Sequence, residues 1–448
     1  MASNMKPVTG TVHEKNGSWH AVLNVTDFET GKRKTKWKKI GKATKKRGDG
    51  GLTKKQAESF LPKIVVEEEK SQEEKHKEYS ALAGMTAEEK RIYKAQNTDF
   101  YEYAKSYLEA RKGSELHLSS YLAYQNQNDA RVKRFFHGKY KVKDVTYSVL
   151  QDFFNEFNQE GCARSTKTRY KAFLKLVIDD AVTKDVMPSN PIEKFPKGTF
   201  GKSDFKAKTF KAHEIDDFLP ALMDSDDVIG KLVAITFYYA LRREEVLGWK
   251  WSQIDFERKT ISLETSIIDV SAKLDKNDIL KRFKSVNKVY STKGRNHIIE
   301  QNVLKTDGSA TVMPLLDVVI DTLKKIKEQT EEYRKMFGNC YDNRFSDYVF
   351  VRPDGYIITP SYVSSHFPIL LRNLDMKRIR FHDVRHTTAT LLLKEGWSIK
   401  HIQHWLRHSD AQTTAKFYLH TDEEELLRVG AGVEDMYNKF TTKKEITK

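Results

Sequence analysis

Residues 381–420 read FHDVRHTTATLLLKEGWSIKHIQHWLRHSDAQTTAKFYLH, two apolar periods separated by a glycine. Val384, Leu391 and Leu392 mark one helix, and Ile399, Ile402, Trp405 and Leu406 mark the next. Gly396 falls where a helix C′ residue belongs, and Ser409 or Asp410 is placed to cap a third helix. His382 and Arg385 are three apart, so they share a helix face. His408 and Tyr418 follow. Taken singly, each is most simply a packed or solvated residue. The ordered set is what needs a reason.

The whole chain has 448 residues, enough for two to four domains with real cores. It carries 78 Lys+Arg against 62 Asp+Glu, a formal net charge of +16 that attracts polyanions, nucleic acid first among them. Cys162 and Cys340 are its only cysteines, and their spacing is neither a metal nor a disulfide framework. The apolar run Leu232–Leu241 is half a membrane span, and no apolar h-region follows Met1. These features lead us to expect a cytoplasmic protein with no membrane partner.

Residues 9–47 read as three strands with turns at Asn16-Gly17 and Thr30-Gly31, followed by a helix from Thr53 to about Glu69. Residues 31–55 hold twelve Lys or Arg and one acid, Asp49. Lys32, Arg33, Lys34, Lys36, Lys38 and Lys39 are therefore candidate DNA contacts on the third strand, although lysines also guard sheet edges. Residues 71–96 alternate in charge and read as a linker. From Asn97 four helices follow, the second over Leu118–Phe136 and the fourth capped near Ser165, with their aromatics as core. Lys167, Arg169 and Lys171 are candidate phosphate contacts. A basic linker, 197–211, leads to mixed α and β structure. There, Lys231–Trp251 reads as a buried helix, Thr260–Ser266, Thr311–Leu315 and Asp347–Val351 as strands, and Asp269–Gln301 as an insertion outside the core.

The elements His382-Asp383-Val384-Arg385, Leu406-Arg407-His408 and Tyr418 resemble the C-terminal motif of the tyrosine recombinases, the phage integrase family. That motif is H-x-x-R, then L-G-H, then a tyrosine about ten residues on. Arg407 stands where the pattern has glycine. The stretch ALRREEVLGWKW, residues 240–251, resembles the family's first arginine motif and nominates Arg242 and, behind it, Glu245; Ala240 replaces another usual glycine. VLKTDGSATVMPL, residues 303–315, resembles the hairpin that carries the family's lysine and nominates Lys305, with Lys293 as its rival.

The resemblance implies a multidomain fold, with a small β-sheet-plus-helix N-terminal domain, an all-α core-binding domain and a mixed α/β, mainly α, catalytic domain. Its expected limits are an arm-type DNA-binding domain at 1–70, a charged linker at 71–96, a SAM-like core-binding domain at 97–196, a basic linker at 197–211, a catalytic domain at 212–430 and a tail at 431–448. Tyr418 is then the nucleophile that forms a 3′-phosphotyrosyl bond, and Lys305 the general acid. Arg242, Arg385, His382 and His408 bind the phosphate oxygens or move protons, with Glu245 orienting them. Guanidiniums suit a phosphodiester because they stay charged and donate paired hydrogen bonds. No metal or other cofactor is expected. Implied partners are double-stranded DNA at core and arm sites, three further protomers in a tetramer on DNA, and an excisionase or host DNA-bending protein. Two other readings stand beside this one: a type IB topoisomerase-like enzyme, and a DNA-binding regulator without catalysis.

Overall fold

The computed structural model describes residues 6–44, 50–196, 198–201, 208–216, 218–271, 274–292, 296–302 and 311–407. The chain forms two compact units, residues 1–110 with 123–202 and residues 111–122 with 203–448.

The first unit opens with an antiparallel sheet in the order β1 (Thr9–Lys15), β2 (Ser18–Thr26), β3 (Arg33–Lys42). Asn16 and Gly17 join the first two strands at φ of 51° and 67°, the left-handed pair that a two-residue I′ turn demands. Ala21, Leu23 and Val25 point one way and pack with Leu61, Ile64 and Val65 of α1 (Lys54–Leu82). Thr53 caps α1, with Gln56 completing a capping box.

The residues read as a linker are largely helical. α1 runs on to Leu82, because Phe28 meets the rings of His76 and Tyr79 (centroids 5.3 and 6.3 Å) and gives the extra turns something to pack on. α2 (Ala87–Gln96) has its own capping box from Thr86 and Glu89.

α3 (Phe100–Arg111), α4 (Leu118–Gln127) and α5 (Lys133–Phe136) follow, the last two joined by a π turn over Asn128–Val132. α6 (Tyr147–Gln159) and α7 (Arg164–Thr183) complete the helical region. Its aromatics are core, as expected: Phe136, Phe153, Phe157 and Tyr170 meet at ring centroids of 4.9–5.3 Å. Ser165 is not the cap, since α7 begins one residue earlier with Ala163 at its N-cap.

Beyond residues 111–122, the second unit continues its regular structure with α8 (Ala212–Ile215), α9 (Phe218–Asp224) and α10 (Val228–Tyr239). The single helix expected over Lys231–Trp251 is two. Ala240 adopts a left-handed conformation (φ 49°), which ends α10, and α11 (Arg243–Leu247) restarts the helix at an angle. Gly248 then lets the chain pass close to the second sheet, where an added Cβ would sit 2.1 Å from the Thr265 carbonyl oxygen.

Two small sheets follow: β4 (Ile254–Asp255), β5 (Thr260–Leu263) and β9 (Thr311–Pro314) in one, and β6 (Thr265–Ser271), β8 (Asn296–Asn302) and β7 (Val286–Tyr290) in the other. The presumed insertion is therefore structured. α12 (Lys276–Arg282) lies within it, and Ile298 joins the main core of the unit. Asp347–Val351 makes only isolated bridges, Lys250 with Tyr348 and Val351 with Ile357, rather than a strand. α13 (Asp317–Phe337), α14 (Pro360–Asn373), α15 (Phe381–Lys394) and α16 (Ile399–Leu406) close the unit, with Gly396 at φ 86° ending α15 as expected. No helix among the described residues is long and apolar enough to cross a membrane.

Candidate active site

α15 carries His382 and Arg385, and α10 holds α15 in place. The Thr388 hydroxyl donates to the Phe237 carbonyl at 2.7 Å, and the Trp405 indole of α16 donates to the Tyr238 carbonyl at 3.1 Å. Along this support Arg385 is driven inside and left 1% exposed. Its guanidinium donates to the carbonyl of Ala240 (2.6 Å) and to that of Leu406. One side chain thus ties the turn before Arg242 to the end of α16.

Arg242 is the N-cap residue of α11. Its Nη1 donates to Glu245 Oε1 at 2.5 Å, and its backbone N–H donates to Glu245 Oε2 at 3.0 Å. The carboxylate accepts a third bond, also on Oε2, from Arg407 Nη2 at 2.8 Å. Burial would push the Glu245 carboxyl up, but Arg407 and Arg242 outweigh it and hold the pKa at about 2. Burial and the neighbouring Arg242 push the Arg385 guanidinium down to about 9, against the opposing pull of Glu245. Arg407 is lowered as well, by burial, with Glu245 opposing.

Two guanidiniums, of Arg242 and Arg407, therefore share one carboxylate, and the buried Arg385 guanidinium lies within electrostatic reach of all three, a local surplus of positive charge. An anion is what such a surplus lacks.

His382 stands at the rim of this arrangement. It lines a cleft of about 390 Å³ together with Arg243, Ser364, Arg378 and Arg380. Desolvation, then Arg385 and Arg380, hold its imidazole below the ordinary 6.5, so it is neutral at pH 7 and able to take a proton. Its neighbour His386 is pushed down to about 4, chiefly by burial and then by His382.

The structure thus brings Arg242, Glu245, His382 and Arg385 together. Lys305, its rival Lys293, His408, Tyr418 and the tail 431–448 lie outside the described residues. The sequence reading had no role for Arg407. Its only signal was the departure from glycine.

The N-terminal basic strand divides in two. Lys34, Lys36 and Lys38 alternate onto the side facing α1 and pair with Asp27, Glu68 and Glu67 at 2.8–3.0 Å. Lys39 lies on the other side with Trp37, and Lys15 Nζ sits 5.0 Å from the Trp37 ring. Arg33 donates to the Pro7 carbonyl at 2.9 Å, and Lys32 is exposed at the turn. In the helical region Lys167 donates to Asn158 Oδ1 (2.8 Å), Lys171 to the Phe195 carbonyl (3.2 Å), and Arg169 is exposed.

The described geometry has recognisable relatives. The phage integrase family matches residues 208–425, and the phage integrase SAM-like domain matches residues 99–198. The chain belongs to the phage integrase family of tyrosine recombinases. A tyrosine recombinase XerC-like protein of Caldanaerobacter subterraneus subsp. tengcongensis is 28% identical over 285 residues, covering 62% of this chain and 68% of the relative. The ICEBs1 integrase of Bacillus subtilis is 24% identical over 304 residues, 66% of this chain and 73% of its own length. In fold, this tyrosine recombinase resembles the Tn1549 transposon integrase in complex with transposon right end DNA. The TM-score is 0.58 at 16% identity, over 76% of this chain and all of the other. It also resembles a lambda integrase dimer bound to a COC′ core site, with a TM-score of 0.51 at 13% identity, over 94% and 98% of the two chains.

The shared carboxylate makes a prediction about acid stability. The Glu245 pKa is depressed in the folded protein, so its contribution to stability is complete above the unfolded value near 4.5. That contribution is lost as pH falls toward about 2. The shift corresponds to roughly 3 kcal/mol. Urea melts of Glu245→Gln are expected to show lower stability at pH 7 and a flatter decline between pH 5 and pH 2 than the parent protein. Parallel curves would place the acid sensitivity elsewhere.

Proposed function

We propose that this recombinase integrates and excises a mobile DNA element, cutting each strand with Tyr418 and conserving the phosphodiester energy in a 3′-phosphotyrosyl bond. The observation that supports it most is the Glu245 carboxylate shared by Arg242 and Arg407, with the buried Arg385 guanidinium and His382 within electrostatic reach. A phosphodiester under attack gains negative charge, and fixed guanidinium donors stabilise that charge without reorganising at the moment of reaction. On this reading Arg242 and Arg385 hold the non-bridging oxygens. His382 and His408 donate to them or relay the proton, and Lys305, with Lys293 as the rival, protonates the leaving 5′ oxygen. Glu245 fixes Arg242. Rejoining then needs no ATP, and four protomers on two duplexes exchange strands through a Holliday junction. A DNA-bending host protein or an excisionase is the class of partner such an assembly uses.

The working domain limits are the arm-type domain at 1–70, the charged connector at 71–96, the core-binding domain at 97–196 and the catalytic domain at 212–430, with linker 197–211 and tail 431–448 around the last. The direct test is strand transfer on duplexes drawn from the element's ends, with arbitrary supercoiled plasmid as the comparison. Transfer confined to the end sequences is expected. Robust relaxation of the plasmid would instead favour the type IB topoisomerase reading.

Within the N-terminal domain, the alternation of β3 supports a division of its basic residues between arm DNA and α1. Arg33, Trp37 and Lys39 share the side turned away from α1, whereas Lys36 spends its ammonium on both oxygens of Glu68. Trp37→Ala and Lys39→Ala are each expected to weaken arm-site binding by about tenfold and leave core-site cleavage unchanged. Lys36→Ala is expected to change arm binding little. Gel shifts with arm-only and core-only duplexes separate these outcomes, and a larger loss from Lys36→Ala would reverse the assignment of the faces.

A further inference from the structure

We propose that Arg407 is a positioning residue for Arg242, acting through Glu245 and locking the chain that leads into His408 to the helix of the first arginine. The inference rests on the reading of Arg242 as a catalytic arginine.

Arg407 sits in the left-handed region, at φ 54° and ψ 45°, as the C-cap of α16. Glycine adopts that conformation freely, and a residue with a Cβ does so at a cost. The long side chain does not reach for solvent, as a surface arginine would. It is 11% exposed and turns inward. Nη2 donates to Glu245 Oε2 at 2.8 Å, while Nη1 donates to the Met313 sulfur at 2.9 Å and to the Trp405 carbonyl at 3.3 Å. The strained backbone and the buried charge are tolerated together because they share this one carboxylate.

The consequence for Arg242 is geometric and electrostatic. With Oε2 held by Arg407, Glu245 cannot rotate away, and Oε1 stays on Arg242 Nη1 at 2.5 Å. A carboxylate divided between two guanidiniums also neutralises neither fully, so Arg242, whose side chain is 43% exposed, keeps charge for a phosphate. The same bond fixes the end of α16 one residue before His408. Ala240, also left-handed at φ 49°, gives its carbonyl to Arg385. Ala240 and Arg407, two of the non-glycine residues at positive φ, thus lie at the two chain turns that the Arg385 guanidinium ties together.

The test uses the full chain on a nicked duplex drawn from the ends of the DNA element that encodes it. Single-turnover formation of the covalent adduct is read at saturating DNA, with affinity and melting temperature measured separately. Arg407→Gly relieves the backbone and removes the cation. It is expected to slow adduct formation by about ten- to a hundredfold, leave DNA affinity within about threefold and lower melting no more than Glu245→Gln does. Arg407→Lys is expected to recover part of the rate. In a Glu245→Gln background, Arg407→Gly is expected to add less than about twofold, because the two residues act as one unit.

Parental rates in Arg407→Gly would overturn the proposal, and so would losses that multiply in the double variant. A slow rate that merely tracks lost melting temperature and affinity, with no recovery in Arg407→Lys, would also overturn it in favour of a structural role. Arg242→Ala separates the two levels of argument. If it still cleaves, the catalytic reading beneath the proposal fails; if it is inactive while Arg407→Gly is not, only the proposal fails.

Discussion

Arg385→Ala is expected to lose DNA cleavage by at least about a thousandfold and to lower stability by roughly 2–4 kcal/mol. Both losses come from one guanidinium. It is 1% exposed, and its removal leaves a cavity and two carbonyl oxygens, of Ala240 and Leu406, without their donor. Those carbonyls belong to the turn before Arg242 and the end of α16, so their release loosens two sides of the pocket together. Buried acceptors stripped of a partner carry the full desolvation penalty, which is why the stability cost exceeds that of a surface arginine.

Arg385→Lys separates the two effects. Lysine keeps a charge but lacks the planar fork that satisfies two carbonyls at once. It is expected to regain much of the stability and little of the cleavage. Urea melts and single-turnover cleavage on the same preparations give both numbers. Near-parental cleavage in a stably folded Arg385→Ala protein would reduce Arg385 to a structural residue.

The catalytic half of the fold was legible because its signals are local. The apolar period and Gly396 give α15 and α16, and the three-residue step from His382 to Arg385 or from Arg242 to Glu245 fixes a shared face within a single helix turn. What the sequence hid depends on distant partners. The row of lysines from residue 32 to 39 reads as one basic surface, yet the pleat sends Lys34, Lys36 and Lys38 toward acids that include Glu67 and Glu68, some thirty residues downstream. The charged stretch after Glu69 reads as linker because its packing partner, Phe28, lies in the sheet. Residues 269–301 read as insertion because their polar exposed positions mask the buried ones, Ile298 and Ile299, and because Glu300 is buried against Lys250 at 2.9 Å and the Tyr348 hydroxyl.

Arg407 is the sharpest case. Its deviation from the family's glycine signals a changed turn, but nothing local indicates that the backbone stays left-handed and the side chain reaches Glu245 across 162 residues.

The account as a whole stands on Tyr418 as the nucleophile. A phenol has a pKa near 10 in water, so attack at neutral pH needs a cationic surrounding that favours the phenolate. Arg242, Arg385 and Arg407 supply surplus positive charge in the pocket described here. The oxygen that leaves DNA is replaced by the tyrosyl oxygen, so the product is a protein–DNA covalent bond that survives denaturation. No non-covalent DNA-binding protein leaves such a bond.

The decisive measurement is covalent trapping on a nicked suicide duplex from the element's own end, run on a denaturing gel with Tyr418→Phe beside the parent protein. The account predicts a trapped adduct for the parent and none for Tyr418→Phe, a loss of at least about a thousandfold, with DNA affinity of the two within about threefold. An adduct that persists in Tyr418→Phe would contradict the assignment of the nucleophile. A parent protein that binds the duplex tightly and never becomes attached would contradict the strand-transfer account itself.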